Sequence, residues 1–453
     1  MKKLSICVVL LVLAFVLSGC KGSNAGNSPS QQTSQSSNNY PARGIGFAKE
    51  YSGIASFNSV QEMPNGGYIL VGDTSSWDGS TISDIFILKI NSKGEKEWAK
   101  AFGKNNSYNG TPVVQLTNDG GYFVAGLTGS YVQGSGRFII VKFNSKGEEE
   151  WAKAFGIGDR TIVSFPTNFS IQQTYDNGFI VSSLGDGNFF VLKLDSKGNK
   201  EWLKVFDDKT IIVSSLRQTK DGGYIIGGGI SDHPLGLIIK VGKTGLVEWA
   251  KRYKVSVWGN EFGSIEQTRD GGYIVISPEF KMNIESENSY SLVLKIDKNG
   301  NEEWRMVLGP SVVHYVSSIK QTKDNGYIVS GWKNVDNEIN NFVIKFDYNK
   351  KIAWAKLINK EEGCNKIEET SDGGYIGIGG RAVFKFDSEG NIGKSCIYEK
   401  DYEPEIVSNP FKVEVTDITK DIKMVPESSF RSTSVNLSFY PRDIQATTIC
   451  SGE

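Results

Sequence analysis

Seven times along the chain a polar turn of the Asp-Gly-Gly kind gives way to an aromatic residue: Tyr68, Tyr122, Phe179, Tyr224, Tyr273, Tyr327 and Tyr375. Each aromatic opens a short apolar run such as Tyr224-Ile225-Ile226. A second apolar run follows and ends on a lysine: Lys89, Lys142, Lys193, Lys240, Lys295, Lys345 and Lys385. Nine residues after each of the first six lysines stands a tryptophan: Trp98, Trp151, Trp202, Trp249, Trp304 and Trp354. A turn lies between the two, usually with Gly, as in Asn91-Ser92-Lys93-Gly94. Short β-rich runs bounded by turn residues predict strands. Each unit then has four. One precedes the Asp-Gly-Gly turn (Ser264 to Thr268, for example), the aromatic opens the second, the lysine ends the third, and Trp-Ala-Lys is the fourth. Repeats of 45 to 57 residues with four short strands predict an all-β, seven-bladed propeller.

The seventh unit breaks the pattern. Nine residues after Lys385 stands Lys394, and no Trp-Ala-Lys strand follows. The missing strand has its counterpart at the other end of the chain, where Phe47-Ala48-Lys49-Glu50-Tyr51 matches Trp98-Ala99-Lys100-Ala101-Phe102 position for position. The N-terminal segment is therefore expected to supply the outer strand of the last blade and close the ring. The lysines resemble a catalytic ring at first sight, but a three-residue hairpin loop with Gly94 left-handed sets Lys89 opposite Glu97. The same register pairs Lys142 with Glu150, Lys193 with Glu201, Lys240 with Glu248 and Lys295 with Glu303. Such cross-strand pairs contribute about 0.2–1 kcal/mol each. The tryptophans are expected to pack blade against blade.

Alternating strands place the first and third turns of every blade on one face and the other connections on the opposite face. The first set hardly varies in length. In the second set the distance from aromatic to lysine runs from 10 residues (Tyr375 to Lys385) to 22 (Tyr273 to Lys295). Length variation confined to one face marks the face free to acquire function. Trp77, Trp258 and Trp332 fall there, outside the repeat positions, as do Tyr108, Tyr131 and both histidines, His233 and His314. Of these, Trp77, Tyr108, Tyr131, Trp258, His314 and Trp332 form the candidate ligand-binding set. Exposed aromatics suit stacking on sugars or anchoring a protein partner; the same side chains serve equally to cap their own loops.

The chain begins with Met1-Lys2-Lys3, an apolar run from Leu4 to Leu17, and Leu17-Ser18-Gly19-Cys20. This resembles the lipobox of bacterial lipoproteins, which implies a signal peptide over 1–19, lipid on Cys20, and export to an outer membrane or cell surface. Residues 20–43 are Ser-, Asn- and Gln-rich, a flexible linker whose ends average about 25 Å apart. The propeller is expected over 44–397. Residues 398–453 form a tail in which Phe411 to Val415 and Ser434 to Phe439 alternate like strands, read as a small β appendage against the seventh blade or as a strap that binds a partner.

Fifty basic and 51 acidic residues give a net charge of −1, with no electrostatic footprint for nucleic acid. Of five cysteines, Cys7 leaves with the signal and Cys20 carries lipid. Cys396 and Cys450 bracket the tail and are the expected disulfide, with Cys364 free and packed.

The run Leu194-Asp195-Ser196-Lys197-Gly198-Asn199-Lys200-Glu201-Trp202 resembles the tryptophan-docking repeat of quinoprotein-like propellers, one residue shorter in the turn, and recurs over 60–395. That resemblance implies the fold. The vicinal cysteines and calcium-binding carboxylates of the quinoprotein dehydrogenases are missing from the sequence, so their redox chemistry is not expected and no cofactor is assigned. There is no third metal ligand near the histidines, no nucleophile elbow and no phosphate-cradling glycine loop. A carboxylate pair for glycoside hydrolysis drawn from distant repeats stays open on spacing alone. The reading is a monomeric, non-catalytic envelope scaffold for a protein or polymer, membrane-bound through its lipid only; the alternative is a polysaccharide-binding or polysaccharide-degrading surface protein.

Overall fold

A computed structural model describes residues 46–392, apart from 75–83, 103–108, 129–135, 158–168, 186, 232–234, 255–260, 281–288, 309–314, 336–337, 359–363 and 365. It also describes the backbone of seven short strands between 399 and 451. Blades 1 to 6 are antiparallel four-strand units over 56–102, 109–157, 170–206, 211–254, 264–308 and 315–358. Blade 7 takes three strands from 366–386 and its fourth, Phe47–Tyr51, from the start of the chain. The inner strands of all seven line one cavity, so the sheets form a closed ring.

The closure follows the repeat. Phe47 pairs with Lys385, as Trp98 pairs with Lys89 and Trp202 with Lys193. Phe47 is buried and meets the Tyr68 ring of blade 1 edge-on, centroids 6.4 Å apart. Trp151 meets Phe179, and Trp202 meets Tyr224, in the same way at 5.7 and 5.9 Å. Six of the seven docking rings lie over the left-handed turn glycine of the next blade; the seventh, Trp304, meets the left-handed Lys350. Gly94 has φ +72°, and a Cβ there would stand 2.6 Å from the Phe47 ring. Only glycine satisfies both the backbone and the close approach.

Side chains around the inner strands fasten the same joints. Gln173 accepts the backbone N–H of Asn118 in the preceding blade, Gln218 that of Tyr175, Gln267 that of Lys220 and Gln321 that of Arg269. Across the seam, Glu62 accepts the Ser371 N–H at 2.6 Å and its hydroxyl at 2.8 Å. At the joint between blades 1 and 2 the donor position is Pro64 and the acceptor position Leu116, so the missing bond leaves no orphaned group.

All five expected lysine–glutamate pairs form, at 2.6 to 3.1 Å. Their register corrects the sequence reading. Lys89 lies opposite Trp98, not Glu97, because a bulge falls between Lys89 and Ile90 in the pairing. Two residues then oppose one, and the carboxylate reaches the ammonium from the bulged position. The sequence reading also missed a second carboxylate. The Asp of the Asp-Gly-Gly turn binds the lysine from the other side: Asp119 to Lys142 at 2.9 Å, Asp176 to Lys193 at 3.0 Å and Asp372 to Lys385 at 2.9 Å.

Each residue of the turn motif now has a reason. The Asp is held by a Thr two residues earlier (Thr174 Oγ1 to Asp176 at 2.5 Å) and accepts the Gly178 N–H at 3.0 Å. The middle residue is left-handed: Gly120, Gly222, Gly271 and Gly373, or Asn177 and Asn325. The last glycine makes room for the ammonium, since a Cβ on Gly178 would lie 2.5 Å from Lys193 Nζ and 2.2 Å from the Leu194 carbonyl oxygen. Lys193 Nζ donates to that same carbonyl at 2.9 Å. Burial works against the Asp119 anion, but the Thr117 hydroxyl, Lys142 and the Gly121 N–H outweigh it and hold the carboxyl at about 2.

The tail is β-structured, and its last strand does lie on blade 7 as expected. It is not confined there. Its seven strands pair in turn with the outer edges of blade 6 (Glu399–Asp401), blade 5 (Ile406–Val407), blade 4 (Glu414–Asp417), blade 3 (Met424–Val425), blade 2 (Phe430–Ser434), blade 1 (Tyr440–Pro441) and blade 7 (Ala446–Ser451). The tail thus makes one circuit, against the direction in which the blades were laid down. A four-stranded blade ends in a row of unpaired backbone groups, and each tail strand covers one such edge. The final strand pairs with 47–51, so the first and last described strands meet at the seam.

Candidate functional site

The uniform and variable faces fall where the spacing put them. The turn face carries the third-to-fourth-strand turns and the Asp-Gly-Gly turns, whose aspartates are engaged by the strand lysines. Its most exposed large apolar residues fall at three separate turns: Tyr175 in blade 3, Leu246 in blade 4, and Tyr348 with Ile352 in blade 6. Scattered exposure of that kind marks no interface.

The loop face is where the second strand ends and the inner strand begins. Of the candidate ligand-binding residues, Trp332 is described. It lies near the loop-face end of the second strand of blade 6 (Tyr327–Val335), paired with Tyr315 at the start of the inner strand. Their rings stack, centroids 5.6 Å apart and planes 15° from parallel. Tyr315 is 36% exposed and Trp332 is half-buried beneath it. Sequence reasoning singled out Trp332 and missed Tyr315, which joins it only through the strand register. Burial raises the Tyr315 hydroxyl above its usual value, and the carboxylates of Glu279 on blade 5 and Glu261 in the connection leading into it add to the rise. Trp77, Tyr108, Tyr131, Trp258, His233 and His314 lie outside the described residues, as do Cys20 and Cys396. Cys450 lies in the last tail strand, opposite Ala48. Cys364 is free and fully buried, and burial pushes its thiol up to about 12.

The inner strands also line a central channel, a cavity of 280 Å³. Two residues before each turn threonine, or before Met63 in blade 1, the side chains make a ring: Gln61, Gln115, Gln172, Arg217, Glu266, Lys320 and Glu368. Three amides occupy one side and four alternating charges the other. Glu266 accepts from Arg217 and Lys320, each at 2.9 Å, and Lys320 reaches Glu368 at 3.3 Å. Burial opposes ionisation of Glu266, but the two cations prevail and hold its carboxyl at about 2. A carboxylate so held is a fixed negative charge and a poor proton donor at neutral pH. Among the described residues, no three His, Cys, Asp or Glu side chains converge as a metal site.

No known protein-family model matches the sequence, and no curated protein sequence matches it. Solved structures do resemble the chain. Sqt1 from Chaetomium thermophilum is 9% identical over 76% of this chain and 100% of its own, with a TM-score of 0.46. An exo-β-1,3-galactanase from Phanerochaete chrysosporium is 9% identical over 88% of this chain and 100% of its own, with a TM-score of 0.35. At these values the likeness carries nothing about ligand or activity, and the seven-bladed propeller stands on this chain's own sheet topology.

Proposed function

We propose that this protein is a non-catalytic binding propeller, exported and held at a membrane by lipid on Cys20, that engages an envelope protein or polysaccharide through its loop face. The observation that carries the reading is the Tyr315–Trp332 stack. A ring backed by a second ring and open on its outer side is a rigid platform, ordered at little entropic cost on binding. Polysaccharide is the second reading. It is favoured by Glu261 and Glu279 beside Tyr315, since carboxylates accept hydrogen bonds from hydroxyls while a sugar stacks on the ring.

The test uses the full-length chain in detergent, on a glycan array and in pull-downs from envelope extract, beside Tyr315→Ala and a Trp77/Trp258/Trp332 triple alanine variant. Glycan binding lost in the variants selects polysaccharide. One stoichiometric envelope protein, unaffected by sugars and lost in the variants, selects a protein partner. Binding of either kind that survives both variants refutes the loop-face assignment.

A further inference from the structure

We propose that the central channel binds a small oxyanion, such as phosphate or sulfate, on the Lys366 ammonium. The four alternating charges of Arg217, Glu266, Lys320 and Glu368 satisfy one another. Lys366 lines the same cavity and has no carboxylate within ion-pair distance among the described residues, so the lining carries three cations against two anions. Lys366 starts the inner strand of blade 7, four residues before Thr370. Ser215, Ser264 and Ser318 stand four residues before Thr219, Thr268 and Thr322 on blades 4, 5 and 6. The ammonium therefore shares a layer with hydroxyls that also line the cavity and have no hydrogen-bond partner among the described residues. An ammonium with neighbouring hydroxyl donors is the chemistry that recognises a tetrahedral oxyanion.

The electrostatics agree with that placement. Lys366 is enclosed by the ring yet open to channel water. Burial, then the Arg217 charge, push its ammonium down to about 8; Glu368 opposes the shift and Lys320 adds to it. Glu266, the remaining charge in the channel, is taken up between Arg217 and Lys320. A bound anion would relieve the excess positive charge.

Sulfate keeps its charge between pH 7 and 9, so it is the probe of choice for calorimetry on the full chain, at ionic strength held constant with chloride. The apparent dissociation constant should weaken about tenfold from pH 7 to pH 9 as Lys366 loses its proton, because only the protonated fraction binds. Lys366→Met should abolish the heat and Lys366→Arg should retain it. Displacement of sulfate by inorganic phosphate alone identifies a free ion as the ligand, and displacement by glucose 1-phosphate as well identifies an ester-borne group; either supports the site. No sulfate binding by the wild type, equal binding by Lys366→Met, or a dissociation constant unchanged between pH 7 and 9 would overturn it. The pH series needs no variant and stands even if Lys366→Met fails to fold.

Discussion

Replacing Phe47 with alanine tests whether the N-terminal strand holds the ring shut. Phe47 is 2% exposed and packs in one cluster with Tyr51, Phe57, Tyr68 and Leu88, bridging blade 7 and blade 1. Truncating a buried phenylalanine costs about 3–5 kcal/mol, and the gap would open at the seam between first and last blades. With roughly 300 described residues and an unfolding entropy of about 2.1 cal/mol/K per residue, that loss lowers Tm by about 5–8 °C. Calorimetry reads the shift. Hydrogen exchange locates it, with faster exchange expected at 47–51, 382–386 and 446–451, the strands that meet there. A Tm within 1 °C of wild type, with unchanged exchange in those strands, would refute the idea that the seam depends on Phe47.

Three further outcomes follow from the same geometry. Truncation after Tyr398 removes the covering strands from all seven blade edges, and light scattering should show self-association absent from the full chain; identical scattering would contradict the edge-covering role. Lys193→Met should cost about 1.5–3 kcal/mol in urea denaturation, because it strands Asp176 and Glu201 and loses a bond to Leu194, whereas Lys89→Met, where Asn65 replaces the aspartate, should cost under about 1 kcal/mol; equal costs would contradict the two-carboxylate account. The turn aspartates, Asp119 at about 2 among them, are held below the usual carboxylate value in the folded state. Their contribution is therefore complete above about pH 4 and is lost as pH falls below it, for Asp119 through about 2, so the urea midpoint should drop as pH is lowered from about 4, and a flat profile there would count against the pairing.

The fold was legible because the repeat writes the same physical solution seven times. Phe47 could be matched to the tryptophan position by alignment alone, and the register Phe47–Lys385 bears that out. The lysine–glutamate pairs were legible from hairpin spacing, although the bulge that actually delivers Glu97 was not, since a bulge changes neither spacing nor composition. The Asp–Lys contact was hidden because it joins residues 13 to 25 apart across a connection of variable length. One signal could have found it: where Asp becomes Asn65, the turn threonine is also gone, replaced by Met63. The tail's path was illegible for a different reason. Two- to six-residue strands added to existing edges need no hydrophobic pattern of their own, because the blade supplies the register. At the site, Trp332 stood out as a tryptophan off its repeat position, while Tyr315 acquires its role only by lying opposite it.

Whether the loop face is the working surface is decided most directly by hydrogen exchange of the full chain with and without its captured partner. Protection is expected at the loop-face segments, including 75–83, 255–260 and 309–315, with the Asp-Gly-Gly turns and the turns at 91–95 and 195–199 unchanged. Protection at those turns, with the loop-face segments exchanging as in the free protein, would contradict it.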